Sequence, residues 1–450
     1  MKMLLLRPYY GITIHSDMHG DLGITDYCPA VFPDLSLVYS ASIAKKSNLV
    51  ELDVIDANAE KLFPLEVNKR LSNNYDLIII KSSEPTIKYD IEYAKDLKKL
   101  FPRAKLIMAG HIVKILKNYL QKKIKEVDEI LEIPLEDYIY KFLHKETDDL
   151  RINDFPSPDY SLFPYEKYID YSGVMHASIQ MSRGCIGACS YCPYTAFFGR
   201  KLDYRTSENI IKDIKGVLNL GINYIQFRDQ YFTYNKKNVV ALCQQIIEQN
   251  LNFNWSCETK IESLNYELIN LMVEAGLKKI CFGIESASKQ TLKAFKRPIT
   301  NIAKAKRIIN YLKGKGVETV AFYIIGFPDD TWESIQSTYE LSTNLASTYA
   351  KFNIYTPTVT QDVCIDGFDI ESTSDVPLPF SIMITKNPSK YLTIEELDYL
   401  SNQLAIMYHS SFNSLEEGYK YHYINQNSFM RIVKKLRKVE NDITGDIYEQ

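Results

Sequence analysis

The stretch MSRGCIGACSYCPY, residues 181–194, sets Cys185, Cys189 and Cys192 close together, directly after a run that reads as a strand, Ala177 to Met181. Cysteine thiolates at such spacing are ligands for a soft metal centre, and three of them leave one ligand position open. Structural zinc sites usually close with four ligands in paired sets, and no second pair exists here. His176 could supply a fourth ligand, so a structural zinc or a buried trio of thiols stands as the alternative. The open iron-sulfur cluster is the preferred reading. The remaining cysteines, Cys28, Cys243, Cys257, Cys281 and Cys364, are scattered, and 8 cysteines among 450 residues are too few for a disulfide-stapled secreted chain. Cys257 and Cys281 lie on strand candidates and read as small packing residues.

Outward from the cysteines, residues 175–357 alternate strand and helix. Strand candidates are Ala177 to Met181, Tyr224 to Phe227, Phe253 to Ser256, Lys279 to Ile284, Glu318 to Ile325 and Phe352 to Tyr355. Between them, Ser207 to Leu218 and Lys237 to Glu248 carry apolar stripes at helical spacing. Strands in alternation with helices suggest a partial parallel barrel with its site at the carboxyl ends of the strands. Residues 1–150 alternate in the same way, with strand candidates Met3 to Leu6, Val50 to Ile55, Asp76 to Ile80, Lys105 to Met108 and Val127 to Leu131. Helical faces occupy Asp90 to Leu100 and His111 to Leu120. That pattern implies an α/β domain with an open, doubly wound, Rossmann-like parallel sheet. Residues 151–174 read as a linker, because NDFPSPDYSLFP, 153–164, has prolines and no apolar period. Residues 358–450 read as a small, mainly helical C-terminal region. Thr393 and Glu396 form a capping box there, and Ser428 to Lys438 is a basic amphipathic helix with a solvated face.

A net charge of -3 provides no basic field for a nucleic-acid backbone, so nucleic acid is not expected as a partner. MKMLLLRPYY is too short for a signal-peptide apolar region and reads as a first buried strand. The apolar runs fall below the ~18 residues of a membrane span. A soluble, cytoplasmic protein is expected.

The CxxxCxxC loop after a first barrel strand, with Tyr191 just before its last cysteine, resembles the radical S-adenosylmethionine (SAM) superfamily. The resemblance implies that Cys185, Cys189 and Cys192 bind three irons of one 4Fe-4S cluster, and that the fourth iron chelates SAM. Electron transfer would then yield a 5′-deoxyadenosyl radical. YIQFRDQYFTYN, 224–235, offers Asp229 for the SAM amino group, and FGIES, 282–286, offers Glu285 and Ser286 for the ribose hydroxyls. YIIGFPDDT, 323–331, has Ile325 where the family packs adenine. Lys260 falls where relatives often carry a basic residue near the substrate, although a solvated lysine is the plainer reading.

The first 145 residues resemble the cobalamin-binding domain found ahead of many radical SAM enzymes. The resemblance places Ser82, Ser83, Gly110 and His111 around the corrinoid, and these residues fall just past strand candidates, at the ligand edge of such a sheet. Two features depart from the family. EIPLED, 132–137, replaces an acidic glycine-rich segment, and Asp17 and His19 do not complete the cobalt-ligating signature. The N-terminal cysteines of methylthiotransferases and a cysteine-rich tail are both missing, which indicates a single cluster. The resemblance implies a cobalamin-dependent radical SAM methyltransferase acting on a small-molecule substrate, a small metabolite or natural-product intermediate, with an electron donor such as flavodoxin or ferredoxin. A radical SAM enzyme of cyclisation, rearrangement or carbon-carbon coupling is the alternative. A non-catalytic iron-sulfur or zinc module is the second.

Overall fold

The computed structural model describes residues 1–11, 13–14, 30–145, 150–170, 172–192, 194–355 and 389–411. Strands β1 (Lys2–Arg7), β2 (Glu51–Asp56), β3 (Leu77–Lys81), β4 (Lys105–Ala109) and β5 (Glu129–Ile130) form one all-parallel sheet in the order β2-β1-β3-β4-β5. Their apolar runs do not alternate with polar residues because both faces are covered. Met3, Leu5, Leu77 and Ile79 pack under the helices Leu35–Ser47 and Leu135–His144. Leu4, Leu6, Ile78 and Ile80 pack under Ile87–Leu100, His111–Ile115 and Lys117–Lys123. This is the doubly wound sheet expected, with its order reversing between β1 and β3, where such sheets hold ligands. Two details differ. β5 pairs over two residues only, and the helix expected from His111 to Leu120 breaks at Leu116, whose φ of -86° and ψ of 10° leave the helical region.

The second sheet has six parallel strands, β6 (Ala177–Ile179), β9 (Tyr224–Phe227), β10 (Asn254–Thr259), β11 (Leu277–Glu285), β12 (Glu318–Ile325) and β13 (Tyr349–Ile354), side by side in chain order. β6 and β13 are its two edges, so the barrel is partial. A short antiparallel pair, β7 (Ser182–Arg183) and β8 (Asp203–Tyr204), rises from the end of β6. The crossover helices begin on side-chain caps. Thr206, Asn235, Asn265, Asn301 and Thr331 each accept a hydrogen bond from a backbone N–H of the first turn.

Residues 153–164 are not an extended, solvated connection. The strap folds into the 3-10 turns Ile152–Asp154, Tyr160–Leu162 and Tyr165–Lys167, and Phe155, Tyr160, Phe163 and Tyr168 are buried. Prolines rule out a helix or a central strand here, but the aromatic residues between them still bury apolar area. A single hydrophobic cluster runs from Met3 and Leu37 through Ile139, Phe155 and Tyr160 to Ile179 and Ile210. The two halves therefore share a core. At the C-terminal end, Thr393 and Glu396 make the expected reciprocal cap, and helix Ile394–Ser411 packs Leu397, Leu400, Leu404 and Tyr408 inward beside β13. Residues 428–438 lie outside the described residues. Among the described residues, no helix is long and apolar enough to cross a membrane.

The strap also ties into charge buried at the carboxyl edge of the first sheet. Arg7, at the end of β1, pairs with Asp56, at the end of β2, at 3.3 Å, and both are buried. The Tyr168 hydroxyl donates to Asp56 at 2.8 Å, and Arg7 also donates to the carbonyl oxygens of Phe32 and Ile14. Removing one partner of a buried pair strands the other. Asp56→Ala is expected to destabilise the fold by about 3 to 5 kcal/mol, read from urea unfolding.

Candidate active site

The cysteine loop, residues 184–202, is closed at its feet by β7 and β8, where Ser182 pairs with Tyr204 and Arg183 with Asp203. Gly184 has φ +92°, and a Cβ there would lie 2.1 Å from the Lys201 carbonyl oxygen, so only glycine lets the loop leave β7 beside β8. Further on, Cys185 N–H donates to Gly199 O at 3.3 Å, Ser190 N–H to Phe295 O at 3.1 Å and Cys192 N–H to Cys189 O at 3.2 Å. Gly187 N–H approaches Cys185 Sγ at 3.4 Å. Burial pushes the Cys192 thiol up to about 12. Such a thiol keeps its proton until a metal displaces it.

The three cysteines line one cavity of about 420 Å³ at the carboxyl ends of the barrel strands. That volume falls within the ~300–1,000 Å³ of ligand sites. Glu258, Thr259 and Lys260 enter it from β10, Gly283 and Glu285 from β11, Phe322 and Ile324 from β12, and Asn353, Ile354 and Tyr355 from β13 and its end. Tyr191, Gln230 and Arg297 complete the polar side. The donor set suits a cluster. His176, the candidate fourth zinc ligand, stacks instead on Phe32, with centroids 4.8 Å apart, and is not among the lining residues. Among the described residues, no three His, Cys, Asp or Glu side chains gather around a single-ion site.

Glu285 occupies an unusual position. Its φ is +73°, and the pairing of β11 with β12 slips between Gly283 and Glu285, which marks a bulge. Backbone strain at a non-glycine residue persists only where its surroundings fix it. Here the carboxylate folds back over Gly283, whose absent Cβ would lie 2.0 Å from Glu285 Oε1. Arg297 stands 3.7 Å from the same oxygen, and Arg297 also donates to the Gly283 carbonyl. Burial raises the Glu285 pKa, opposed by Arg297, by a hydrogen bond from Tyr191 and by Lys260.

The structure thus brings Tyr191 and Glu285 together with the cysteines. The other barrel residues singled out from sequence stand beside the cavity. Asp229 is fully buried and accepts from Met181 N–H at 3.1 Å and from the Ser182 hydroxyl. It grips the foot of the cysteine loop, and its neighbour Gln230 lines the cavity. Burial raises Asp229 to about 6 against those two donors. Ser286 accepts from Ser288 N–H at 3.1 Å, within the turn after β11. Strand alternation places Ile324 in the cavity and buries Ile325 in the core. Sequence reasoning missed Arg297 entirely and read Lys260 as solvated. Lys260 is at the end of β10, where side chains of a parallel barrel converge on the site, and that position was its available signal.

At the N-terminal sheet, Ser82 and Ser83 follow β3, and Gly110 and His111 follow β4, as expected. Ser82 N–H donates to Ala109 O at 2.8 Å, and both serines are buried. Beside them, Asp90 accepts from Tyr10 and Thr86, each at 2.8 Å, and burial raises it to about 7. Gly110 has φ 135°, a conformation closed to side chains with a Cβ. With Lys81, His111 and Pro134 it bounds a cavity of about 30 Å³ that Phe198, from the segment after Cys192, closes from the barrel side. The two ligand edges therefore meet at this point. The cavity has room for a water molecule and not for a corrin ring. Residues 15–29, which follow β1 and include His19 and Cys28, lie outside the described residues.

Residues 179–342 match the Radical SAM superfamily. The chain resembles that superfamily over this stretch. It is 25% identical to an uncharacterized methyltransferase of Pyrococcus horikoshii over 88% of this chain and 87% of that one. The anaerobic magnesium-protoporphyrin IX monomethyl ester cyclase of Cereibacter sphaeroides is 28% identical over 46% of this chain and 35% of its own length. Among solved structures, the radical SAM methyltransferase TsrM from Kitasatospora setae, with cobalamin and a [4Fe-4S] cluster bound, superposes with a TM-score of 0.62 at 13% identity. That match covers 79% of this chain and 73% of TsrM. The cobalamin-dependent enzyme OxsB gives 0.60 at 14% identity over 80% and 54%. Likeness at such identities shows the fold. A Rossmann-like domain precedes a partial parallel barrel, the arrangement seen in TsrM and OxsB.

Two substitutions test the electrostatics of the cavity and of the loop beside it. In Gly283→Ala the new methyl displaces the Glu285 carboxylate, a flexible group, without disturbing backbone. The displaced carboxylate loses Arg297 and Tyr191, so thermal stability is expected to fall modestly, and SAM affinity of the folded protein, measured by calorimetric titration, by roughly 1.5 kcal/mol or more. Asp229→Asn probes a raised acid, whose contribution to stability is complete below the unfolded value of 3.8 and is lost as pH rises through about 6. The asparagine variant should match the wild type near pH 3.5 and exceed it above pH 7 by ~2–3 kcal/mol in denaturant unfolding. Equal stability curves at both pH values would mean that the buried carboxylate is not strained.

Proposed function

We propose that this protein is a cobalamin-dependent radical SAM methyltransferase that makes a 5′-deoxyadenosyl radical and methylates an unactivated centre of a small metabolite or natural-product intermediate. The observation that carries this reading is the meeting of two ligand edges. A cavity bearing three cysteines, Glu285 and Arg297 opens at the barrel strand ends, and the segment after Cys192 abuts the carboxyl edge of the N-terminal sheet. Cys185, Cys189 and Cys192 would hold a four-iron cluster that with SAM would supply the radical, and a corrinoid at the N-terminal edge would supply a transferable methyl group.

The chain's own residues have distinct tasks on this reading. Cys185, Cys189 and Cys192 hold three irons. Glu285, fixed by Arg297 and Tyr191, accepts from the ligand's hydroxyl or ammonium donors, and a charged acceptor in a dry pocket favours them strongly. Arg297 and Lys260 are the cations on hand for a ligand carboxylate. Phe322, Ile324, Ile354 and Tyr355 form an apolar wall that excludes water from a reactive intermediate. Ser82, Ser83, Gly110 and His111 mark the sheet edge at which a corrinoid would be held, although the small cavity beside Gly110 does not itself admit the ring. The domain limits supporting this division of labour are 1–150, 175–357 and 358–450, with the strap 151–174 between the first two.

The likeness to a protein named as a monomethyl ester cyclase favours one other reaction, ring closure without methyl transfer, on the same radical chemistry. The product distinguishes the two. Anaerobically reconstituted protein should show iron-sulfur and corrinoid absorption together, cleave SAM to 5′-deoxyadenosine when reduced, and pass a labelled methyl group from SAM to product. Cys189→Ala should lose the iron and the cleavage while keeping its circular dichroism. Protein that takes up no corrinoid yet turns over substrate would overturn methyl transfer and leave the cyclase-like reaction.

A further inference from the structure

We propose that the N-terminal domain seats the cysteine loop through Arg183 and Arg205, the residues that flank its two feet. The inference rests on the reading that the loop holds a cluster. Arg183 is on β7, two residues before Cys185, and Arg205 follows β8. Arg183 Nη2 pairs with Glu136 at 2.7 Å and Nη1 with Asp137 at 2.7 Å, both on the last helix of the N-terminal domain. Its guanidinium carbon lies 5.3 Å from the Phe155 ring centroid and 5.1 Å from that of Phe198. The second oxygen of Glu136 accepts from the Ser36 hydroxyl. Arg205 Nη1 donates to the Tyr39 hydroxyl at 2.7 Å and pairs with Asp213 at 2.8 Å.

Ser36 and Tyr39 are three residues apart on helix Leu35–Ser47, so they share one face. That single helix therefore reaches both feet of the loop, through Glu136 to one and directly to the other. Glu136 and Asp137 belong to EIPLED, the segment without glycine, and here its acids have a physical task. Holding the halves together does not require these charges, because one apolar cluster already spans both. Buried ion pairs roughly break even against apolar packing, and what they add is a fixed orientation. Arginine fits that role because its planar fork fixes direction as well as distance.

The test uses full-length protein, reconstituted anaerobically, with Glu136→Gln, Tyr39→Phe and their double variant. None of these residues lines the cavity, and Tyr39→Phe keeps its ring against Arg205. The readouts are the rate of iron loss to a chelator, the EPR g-values of the reduced cluster with and without SAM, and the thermal midpoint. Faster iron loss by several-fold and shifted g-values in the SAM-bound state are expected, with the double variant furthest from wild type. Variants with wild-type g-values and wild-type iron loss overturn the proposal, whatever happens to their thermal midpoint, because the contacts would then serve folding alone. Should Glu136→Gln fail to fold, Tyr39→Phe and Asp137→Asn decide by the same readouts. Wild-type protein that binds no iron, or Cys189→Ala that keeps it, defeats the cluster reading itself and the inference with it.

Discussion

The Arg183 guanidinium is buried among two aromatic rings and two carboxylates, and both carboxylates, Glu136 and Asp137, come from the other half of the chain. A buried cation is tolerated only while its partners stay in place, so its position dictates how the halves dock. Three consequences follow for the site. The strap must bring Phe155 to the arginine, the last N-terminal helix must present Glu136 and Asp137 together, and the segment after Cys192 must bring Phe198 within reach of it. Asp229 adds a fourth constraint from within the barrel by holding Ser182, the neighbour of Arg183. A loop that offers three sulfur ligands has little regular structure of its own. Its shape is imposed by the groups that fix its feet.

The cavity shows the same division between scaffold and strain. Parallel strands deliver side chains to one edge at low cost, because each crossover helix begins on its own cap and covers its own strand. The strained element is the bulge at Gly283 to Glu285, where a left-handed residue aims a carboxylate back over a glycine. Arg297 and Tyr191 offset that cost, and burial leaves the carboxylate with a raised pKa and a small set of charged neighbours. Such a group is well suited to bind a cationic or hydroxyl-rich ligand, since the ligand supplies what the folded chain withholds.

Much of this architecture was legible in the sequence, for local reasons. β12 reads directly from Glu318 to Ile325 because β-branched and aromatic residues fill the run, and the helices at 207 and 236 read from their stripes. The cysteine spacing named the cluster loop, and the strand ends pointed to Glu285. The strap reads as an extended linker because it has prolines and no apolar period, while its aromatic residues bury themselves all the same. Asp229 was placed at a strand end, but strand position cannot reveal that two donors at the end of β6 and on β7 already engage the carboxylate. Arg297 and the Arg183–Glu136 pair left no local pattern at all. Partners separated by tens of residues meet only through tertiary packing.

The docking of the two halves also limits where a substrate can enter. The N-terminal sheet turns its β4 end toward the segment after Cys192, and Phe198 fills the gap beside Gly110. The barrel cavity is walled there by its own cysteine loop. β6, at one edge of the partial barrel, is covered by the strap through the Tyr160 hydroxyl bond to Ser178 O. At the other edge, β13 is covered by helix Ile394–Ser411, with Ser401 bonded to Phe352 O. Both edges of an open sheet are thus closed by segments outside the barrel, which satisfies the edge-strand constraint without a seventh strand. Among the described residues, the access that remains is from the carboxyl face. At that face Phe322, Ile324 and Tyr355 stay partly exposed while Glu285 and Arg297 are buried, so a ligand is offered an apolar surface and buried charge in one cavity.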